Sequence, residues 1–176
     1  MSDVRHQFTI LGCGSSGGVP RIGGDWGACD PTNPKNRRRR CAALVERITA
    51  AGTTRVLIDT GPDLREQLLD TNVDWLDGIL FTHEHADHTH GIDDLRPLCY
   101  RMKRRIDVWA DDPTLDSLKT RFGYCFETPP GRNYPPILEG HRITGDAPIV
   151  IDGAGGPITA VPIAQQHGNI SSLAFR

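Results

Sequence analysis

The stretch Thr82-His83-Glu84-His85-Ala86-Asp87-His88-Thr89-His90 places four histidines and two carboxylates within nine residues. It follows the apolar run Gly78-Ile79-Leu80-Phe81, which predicts a short buried strand. The histidines therefore lie where a strand ends, and their side chains can converge from a rigid base. A solvated polar loop is the alternative, since these residue types favour the surface. Imidazoles and carboxylates at this spacing favour a site for zinc or another divalent metal.

Length and composition indicate one globular domain covering residues 1–176. Hydrophobic residues make up 38% of the chain and charged residues 24%, which is ordinary for a folded protein. The formal net charge of −2 gives no overall attraction to nucleic acid or to an anionic membrane. No apolar run approaches the roughly 20 residues that span a bilayer. Five scattered cysteines and an N-terminus without a signal-peptide core predict free thiols and a cytoplasmic protein.

Short apolar runs alternate with helical patterns along the chain. Because each predicted helix lies between strands, we expect a layered α/β fold. Residues 21–40 and 129–136 are rich in proline and turn-forming residues and are expected to be irregular. Strands are predicted at 7–11, 41–48, 54–59, 78–81, 106–110, 149–151, 158–161 and 171–175. Helices are predicted at 62–69, 92–102 and 112–122, the second of them interrupted near Pro97.

The pattern Thr-His-x-His-x-Asp-His after a strand resembles the signature of the metallo-β-lactamase fold superfamily. His83, His85, Asp87 and His88 match it one for one. The resemblance implies an αβ/βα sandwich with the metals at one edge of its sheets. It also implies that His83 and His85 hold one metal ion, while Asp87 and His88 hold a second and position the attacking hydroxide. True lactamases usually lack the last histidine, so His88 counts against that branch.

His167 follows the predicted strand near residues 158–162 and precedes Gly168, as the later lone histidine ligand of this superfamily does. The alternative is a histidine in a surface loop. Together with His83 and His85 it would form a three-histidine site with an open position for water. The resemblance implies one or two Zn²⁺ or Mn²⁺ ions, and such an ion lowers the pKa of bound water to about 7.

The second metal site is expected to be incomplete. The superfamily adds a bridging aspartate and a final histidine further along the chain, whereas this sequence ends at Arg176 within a predicted strand. We therefore expect the C-terminal part of the family domain to be missing, which leaves the activity of this chain open.

Asp59 lies at the end of a predicted strand in Leu57-Ile58-Asp59-Thr60-Gly61 and resembles another family motif. Its carboxylate is expected to accept a hydrogen bond from a metal-binding imidazole and fix its orientation. A turn or cap residue ahead of Pro62 is the alternative. Glu84 is expected to point away from the metal, and His90 to lie at the surface rather than in a pocket.

The glycine-rich segment 12–20 is expected to bind phosphate through backbone amides of Gly14, Ser15, Ser16, Gly17 and Gly18. The alternative is that the segment only forms a tight turn, which is the usual role of such glycines. On the first strand ahead of the histidine motif, it resembles two branches: the tRNA 3′-processing endonucleases, and the phosphodiesterases that act on phosphoribosyl 1,2-cyclic phosphate.

The second branch is the closer resemblance, because of Gly17-Gly18-Val19-Pro20, the long insert after it, and Arg40-Cys41. That branch carries a cysteine cluster for structural zinc in the insert. Here only Cys29 stands in the matching stretch, and one thiolate cannot form a four-ligand site. Cys13 and Cys41 are expected to be small buried side chains.

Arg37-Arg38-Arg39-Arg40 is expected to be a solvated loop, with phosphate contact as the alternative. The leading functional hypothesis is a metal-dependent phosphodiesterase acting on a small cyclic or nucleotide-like phosphate ester. The alternatives are tRNA 3′ processing, thioester hydrolysis of the glyoxalase II type, and a non-catalytic metal-binding remnant. The expected partner is a small phosphate ester, with neither membrane nor nucleic acid. The oligomeric state is left open, a homodimer included.

Overall fold

The computed structural model describes residues 4–176, which form ten strands and four α-helices. The strands are β1 Arg5–Gly12, β2 Ala42–Thr49, β3 Gly52–Ile58, β4 Gly78–Leu80, β5 Ile106–Ala110, β6 Leu138–Arg142, β7 Ile149–Ile151, β8 Ile158–Ala160, β9 Pro162–His167 and β10 Ile170–Phe175. The helices are α1 Leu64–Asp70, α2 Ala86–Thr89, α3 Arg96–Met102 and α4 Asp112–Phe126.

A six-stranded sheet in the order β1-β2-β3-β4-β5-β6 is the centre of the fold. The first three strands run antiparallel, and β3 to β6 run parallel. Parallel neighbours need a crossover connection, and α1, α3 and α4 lie in the three connections. The parallel strands therefore all end at the same edge of the sheet.

Both faces of this sheet are covered, as the continuous apolar run of β4 requires. Successive side chains of a strand point to opposite faces, so Ile79 and Leu80 enter different cores. Ile79 packs in the core that contains Leu64 and Leu115 of the helices. Leu80 packs in the core that contains Leu173 of the hairpin side.

Two hairpins lie on the side of the sheet opposite the helices. Strand β7 pairs with β8, and β9 pairs with β10. Helices, central sheet and hairpins form a mixed α/β arrangement of layers, which confirms the predicted fold class.

Three elements were not predicted. Strand β6 (Leu138–Arg142) contains glycine and charged residues, and it forms because it pairs along its whole length with β5. Strand β9 (Pro162–His167) is largely exposed and polar, so it lacks the apolar alternation that signals a strand. Helix α2 (Ala86–Thr89) is a single turn inside the histidine motif.

The interruption predicted near Pro97 in the helix 92–102 is present. Ile92–Leu95 is a 3₁₀ turn, and α3 begins at Arg96. Pro97 lies in the first turn of α3, where its missing N–H costs no hydrogen bond. None of the helices within residues 4–176 combines the length and the apolar character that a membrane crossing requires.

The expectation of buried Cys13 and Cys41 was wrong, because both are exposed. Cys13 follows the end of β1 and Cys41 precedes β2, so both lie at the rim of the sheet and outside its two cores. The buried cysteines are Cys99 and Cys125.

Phe81 is fully buried directly before the histidine motif, whereas Phe8 on β1 is 63% exposed. We expect Phe81→Ala to lower the free energy of unfolding by about 3–5 kcal/mol through lost burial and a residual cavity. Phe8→Ala, the matched control, should change it by less than about 1 kcal/mol. Urea denaturation followed by circular dichroism measures both, and equal losses would contradict the assignment of the core.

Candidate metal centre

Strand ends hold the first half of the histidine motif. The Phe81 amide donates to the Trp109 carbonyl at 2.9 Å, and the Asp59 amide donates to the Leu80 carbonyl at 3.0 Å. The chain therefore leaves β4 already bonded to both neighbouring strands, and Thr82 and His83 follow at once. The backbone below the first histidine is rigid for this reason.

The second half of the motif turns into helix α2. The His88 amide donates to the His85 carbonyl at 3.0 Å, and the Thr89 hydroxyl bonds the same carbonyl at 3.0 Å. The His88 carbonyl in turn accepts from the Thr60 amide at 2.8 Å. A side chain at Gly61 would overlap the Asp87 carbonyl, so glycine is required where this turn packs against the end of β3.

The β9–β10 hairpin brings His167 to the same place. His167 is the last residue of β9 and pairs with Ile170 across a turn in which Gly168 has a φ of +58°. Glycine adopts this backbone conformation readily. The Leu173 amide donates to the Thr82 carbonyl at 2.8 Å, which joins β10 to the start of the motif.

Three imidazoles meet at this point. One ring nitrogen each of His83, His85 and His167 lie within 4.8 Å of one another. His83 Nε2 is 3.1 Å from His85 Nδ1, and the ring centroid of His167 lies 4.9 Å from that of His83 and 5.1 Å from that of His85. His83 is buried and the other two are exposed. Three imidazoles open to solvent on one side are the donor set of a catalytic zinc-type site.

Asp87 and His88 lie beside this cluster without being part of it. The rings of His88 and His83 are 4.1 Å apart between centroids, and His88 Nε2 is 3.4 Å from Asp87 Oδ2. Within residues 4–176, no further His, Cys, Asp or Glu completes a second three-ligand group around this pair. The five predicted metal ligands are thus adjacent, but only three converge.

The carboxylate of Asp59 lies beneath the motif and is 2% exposed. It accepts hydrogen bonds from the Thr82 amide at 2.8 Å and the Thr82 hydroxyl at 2.7 Å, and its Oδ2 lies 2.6 Å from His88 Nδ1. Its φ of +63° is uncommon for a residue other than glycine, although aspartate and asparagine tolerate it. Asp59 is therefore placed to orient the imidazole of His88.

Two neighbouring imidazoles have opposite pKa shifts. Burial, followed by the positive charge of a protonated His88, lowers the pKa of His83 to about 4. Burial also disfavours the charged form of His88, but the hydrogen bond and negative charge of Asp59 outweigh it and raise the pKa of His88. His83 is therefore neutral at pH 7, with a lone pair free for a metal ion.

A cavity of about 580 Å³ opens beside the cluster and is lined by His85, Ala86, His90, Arg121 and Phe122. Arg121 Nη1 donates to the Glu84 carbonyl at 2.7 Å, which holds the backbone between two of the histidines. His90 is exposed, as expected, and it also lines this cavity. Arg121 and Phe122 belong to α4, and nothing in their local sequence signals a place beside the motif.

The predicted amide concavity at residues 14–18 is only partly available. The Gly14 amide donates to the Arg39 carbonyl at 2.7 Å, and the Gly18 amide donates to the Ser15 carbonyl at 2.8 Å. A Cβ on Gly14 would lie 2.8 Å from the Arg39 carbonyl oxygen. Close approach of two backbone segments therefore explains this glycine. Of the five predicted amides, those of Ser15, Ser16 and Gly17 have no backbone acceptor among residues 4–176.

The pKa of His83 is measurable in metal-free protein. We expect its imidazole resonances to titrate with a midpoint near pH 4, well below the ordinary value of 6.5. Since the unfolded chain takes up this proton near pH 6.5, the contribution of His83 to stability is present above that pH. It is lost as the pH falls toward 4. Histidine NMR, assigned with His83→Gln, tests this, and a midpoint at or above pH 6.5 would contradict it.

Comparison with known proteins places the chain in a family. The model of the β-lactamase superfamily domain matches residues 54–176. A crystal structure of a diphosphatase from the PhnP family superposes with a TM-score of 0.81 and 34% identity, over 100% of this chain and 63% of that one.

Two curated relatives also match. The octanoyltransferase of Porphyromonas gingivalis is 37% identical over 169 residues, which is 95% of this chain and 32% of that protein. Coenzyme PQQ synthesis protein B of Xanthomonas oryzae is 26% identical in an alignment 174 residues long, and the match covers 85% of this chain and 56% of that protein. The chain thus spans about a third of one relative and little more than half of the other. It belongs to the β-lactamase superfamily, with the metallo-β-lactamase fold, and lies close to the PhnP branch.

Proposed function

We propose that this chain forms the metal-binding part of a hydrolase that cleaves a phosphate ester in a small molecule. The observation that carries the proposal is the convergence of His83, His85 and His167, whose ring nitrogens lie within 4.8 Å of one another. One of the three is buried and two are exposed, so a substrate can reach the point where they meet.

The residues present suit a divalent cation. Neutral imidazole is a ligand for zinc and similar metals, and the lowered pKa of His83 keeps that ring neutral at pH 7. We therefore propose that His83, His85 and His167 hold one Zn²⁺ or Mn²⁺ ion. When bound, such an ion supplies a Lewis acid for a phosphoryl oxygen and increases the acidity of water.

Asp87 and His88 would act next to this ion, either on a second cation or on the attacking water and the phosphate. Asp59 keeps a proton on His88 Nδ1 through their 2.6 Å contact. The other nitrogen of that ring, Nε2, is thereby left on the side of Asp87. Asp59 is accordingly a positioning residue for His88, as carboxylates often are beneath metal-binding histidines.

The substrate class is supported by the surroundings of the cluster and by one relative. The cavity beside His85 is lined by Arg121 and by the ring of Phe122, which suits a negatively charged ester with an apolar or ring-shaped substituent. The guanidinium of Arg121 also lies 3.8 Å from the Glu84 carboxylate and is 43% exposed. The PhnP-family structure that is 34% identical is described as a diphosphatase. The octanoyltransferase is matched over 32% of its length, so its name describes much more than the matched segment.

Hydrolysis of bis-p-nitrophenyl phosphate tests the proposal. We expect turnover with Zn²⁺ or Mn²⁺, loss of turnover with a chelator, and recovery when the metal is restored. His85→Ala and His167→Ala should each reduce metal content and lower kcat/KM by about 100-fold or more. His141→Ala is the matched control, because His141 pairs with Asp107 outside the cluster. About one metal ion per chain without turnover would contradict hydrolysis, and no bound metal would contradict the site as well.

Asp59→Asn tests the positioning role, since asparagine tolerates the same backbone conformation. We expect metal affinity to fall by about 10–100-fold, because asparagine keeps only one acceptor oxygen for the three groups that contact the carboxylate. One of these groups, the Thr82 hydroxyl, lies 2.9 Å from Nδ1 of the proposed metal ligand His83. Competition with a chromogenic chelator measures this, and circular dichroism checks that the fold is kept. Asp70→Asn, at an exposed carboxylate paired with Arg39, is the control. Equal affinities of Asp59→Asn and the unaltered protein would refute the role.

A further inference from the structure

A second cavity, of about 670 Å³, lies between the end of β1, the glycine-rich segment 12–20 (the glycine turn) and the segment Pro34–Arg40. Its lining includes none of the clustered histidines. The volume is within the range of sites that bind small molecules. Neither the fold nor the proposed hydrolysis accounts for this cavity.

The lining is strongly basic. The lining contains five cationic side chains, Lys35 and the four arginines 37–40, and one carboxylate, that of Asp63. Arg40 makes a fork to Asp63 with contacts of 2.6 and 2.7 Å, and Arg39 pairs with Asp70 at 2.7 Å. Within residues 4–176, the remaining three cations have no ion pair. An unbalanced positive charge is thus concentrated on one concave surface.

The basic run is held against the glycine turn by backbone hydrogen bonds and is not a loose loop. The Val19 amide donates to the Arg38 carbonyl and the Arg38 amide donates to the Val19 carbonyl, both at 2.9 Å. The Gly14 amide donates to the Arg39 carbonyl at 2.7 Å. The expectation of a solvated arginine run was therefore incomplete, because this backbone is fixed on one wall of the cavity.

Several side chains are also held in place. The carboxylate of Asp63 accepts from both the backbone amide and the guanidinium of Arg40. Arg38 Nη1 lies 3.4 Å from Cys13 Sγ. Lys35 and Arg37 are exposed and line the same cavity, so their charges are available to a ligand.

We propose that this cavity binds a phosphate-bearing anion at a site separate from the histidine cluster, with Lys35 and Arg37 as its main contacts. Guanidinium groups match the geometry of phosphate oxygens, and charge-assisted hydrogen bonds of this kind are strong. The anion is either a free phosphate compound or a second phosphate group of the substrate.

Isothermal titration with inorganic pyrophosphate at roughly 0.15 M salt tests the site, because weak surface attraction is screened there. We expect saturable binding, with Kd raised about tenfold or more in a Lys35→Ala/Arg37→Ala double variant. His167→Ala and Arg132→Ala, the latter at an exposed arginine outside the cavity, should bind as the unaltered protein does. The absence of saturable binding, equal binding by the double variant, or loss of binding in His167→Ala would overturn the proposal.

Hydrolysis distinguishes the two sources of the anion. Thymidine 3′-phosphate 5′-(p-nitrophenyl phosphate) carries a second phosphate, and thymidine 5′-(p-nitrophenyl phosphate) does not. A rise in KM of the double variant for the first compound alone assigns the site to a substrate group, and unchanged KM for both assigns it to a separate ligand. Either result accords with the proposal. The titration does not depend on turnover, so failure of the proposed hydrolysis leaves the test of the cavity intact.

Discussion

The hydrogen bond from the Leu173 amide to the Thr82 carbonyl joins two parts of the chain that are remote in sequence. On one side is the end of β4, from which two histidines extend. On the other is the β9–β10 hairpin, which carries the third. The hairpin has few buried side chains of its own. Leu173 of β10 is buried in the core behind the sheet, and Phe175 packs against that core. Packing of Leu173 and Phe175, together with the backbone bond of Leu173, therefore holds the hairpin at the distance on which the histidine cluster depends.

The electrostatics of the cluster follow from the same placement. A ring against the sheet is desolvated, and desolvation alone favours neutral imidazole at His83. His88 is desolvated too, but a buried carboxylate 2.6 Å away reverses the result. The pKa values of two histidines five residues apart are thus shifted in opposite directions, because only His88 lies within hydrogen-bonding distance of the Asp59 carboxylate.

The sequence was sufficient to predict those features that depend on the order of neighbouring residues. The histidine motif, the fold class and the neighbourhood of Asp59 were predicted because strand ends and ligand spacing are local patterns. Strand β9 was missed because its exposed polar residues have no apolar alternation, and Arg121 because its place depends on how α4 packs. Two amides of the glycine-rich segment 12–20, those of Gly14 and Gly18, bond backbone carbonyls for a related reason. Gly14 lies against the Arg39 carbonyl, and the local sequence of neither segment indicates that the two come into contact.

The three clustered imidazoles come from two positions in one motif and one position in a distant hairpin. A cation bound by all three would cross-link these segments, much as a disulfide closes a loop. Because the unfolded chain does not offer the three nitrogens together, the binding energy of the cation becomes folding energy. The exposed tip of the β9–β10 hairpin would gain the most order from such a cross-link. The concentration of the ion would then determine how well ordered this tip is.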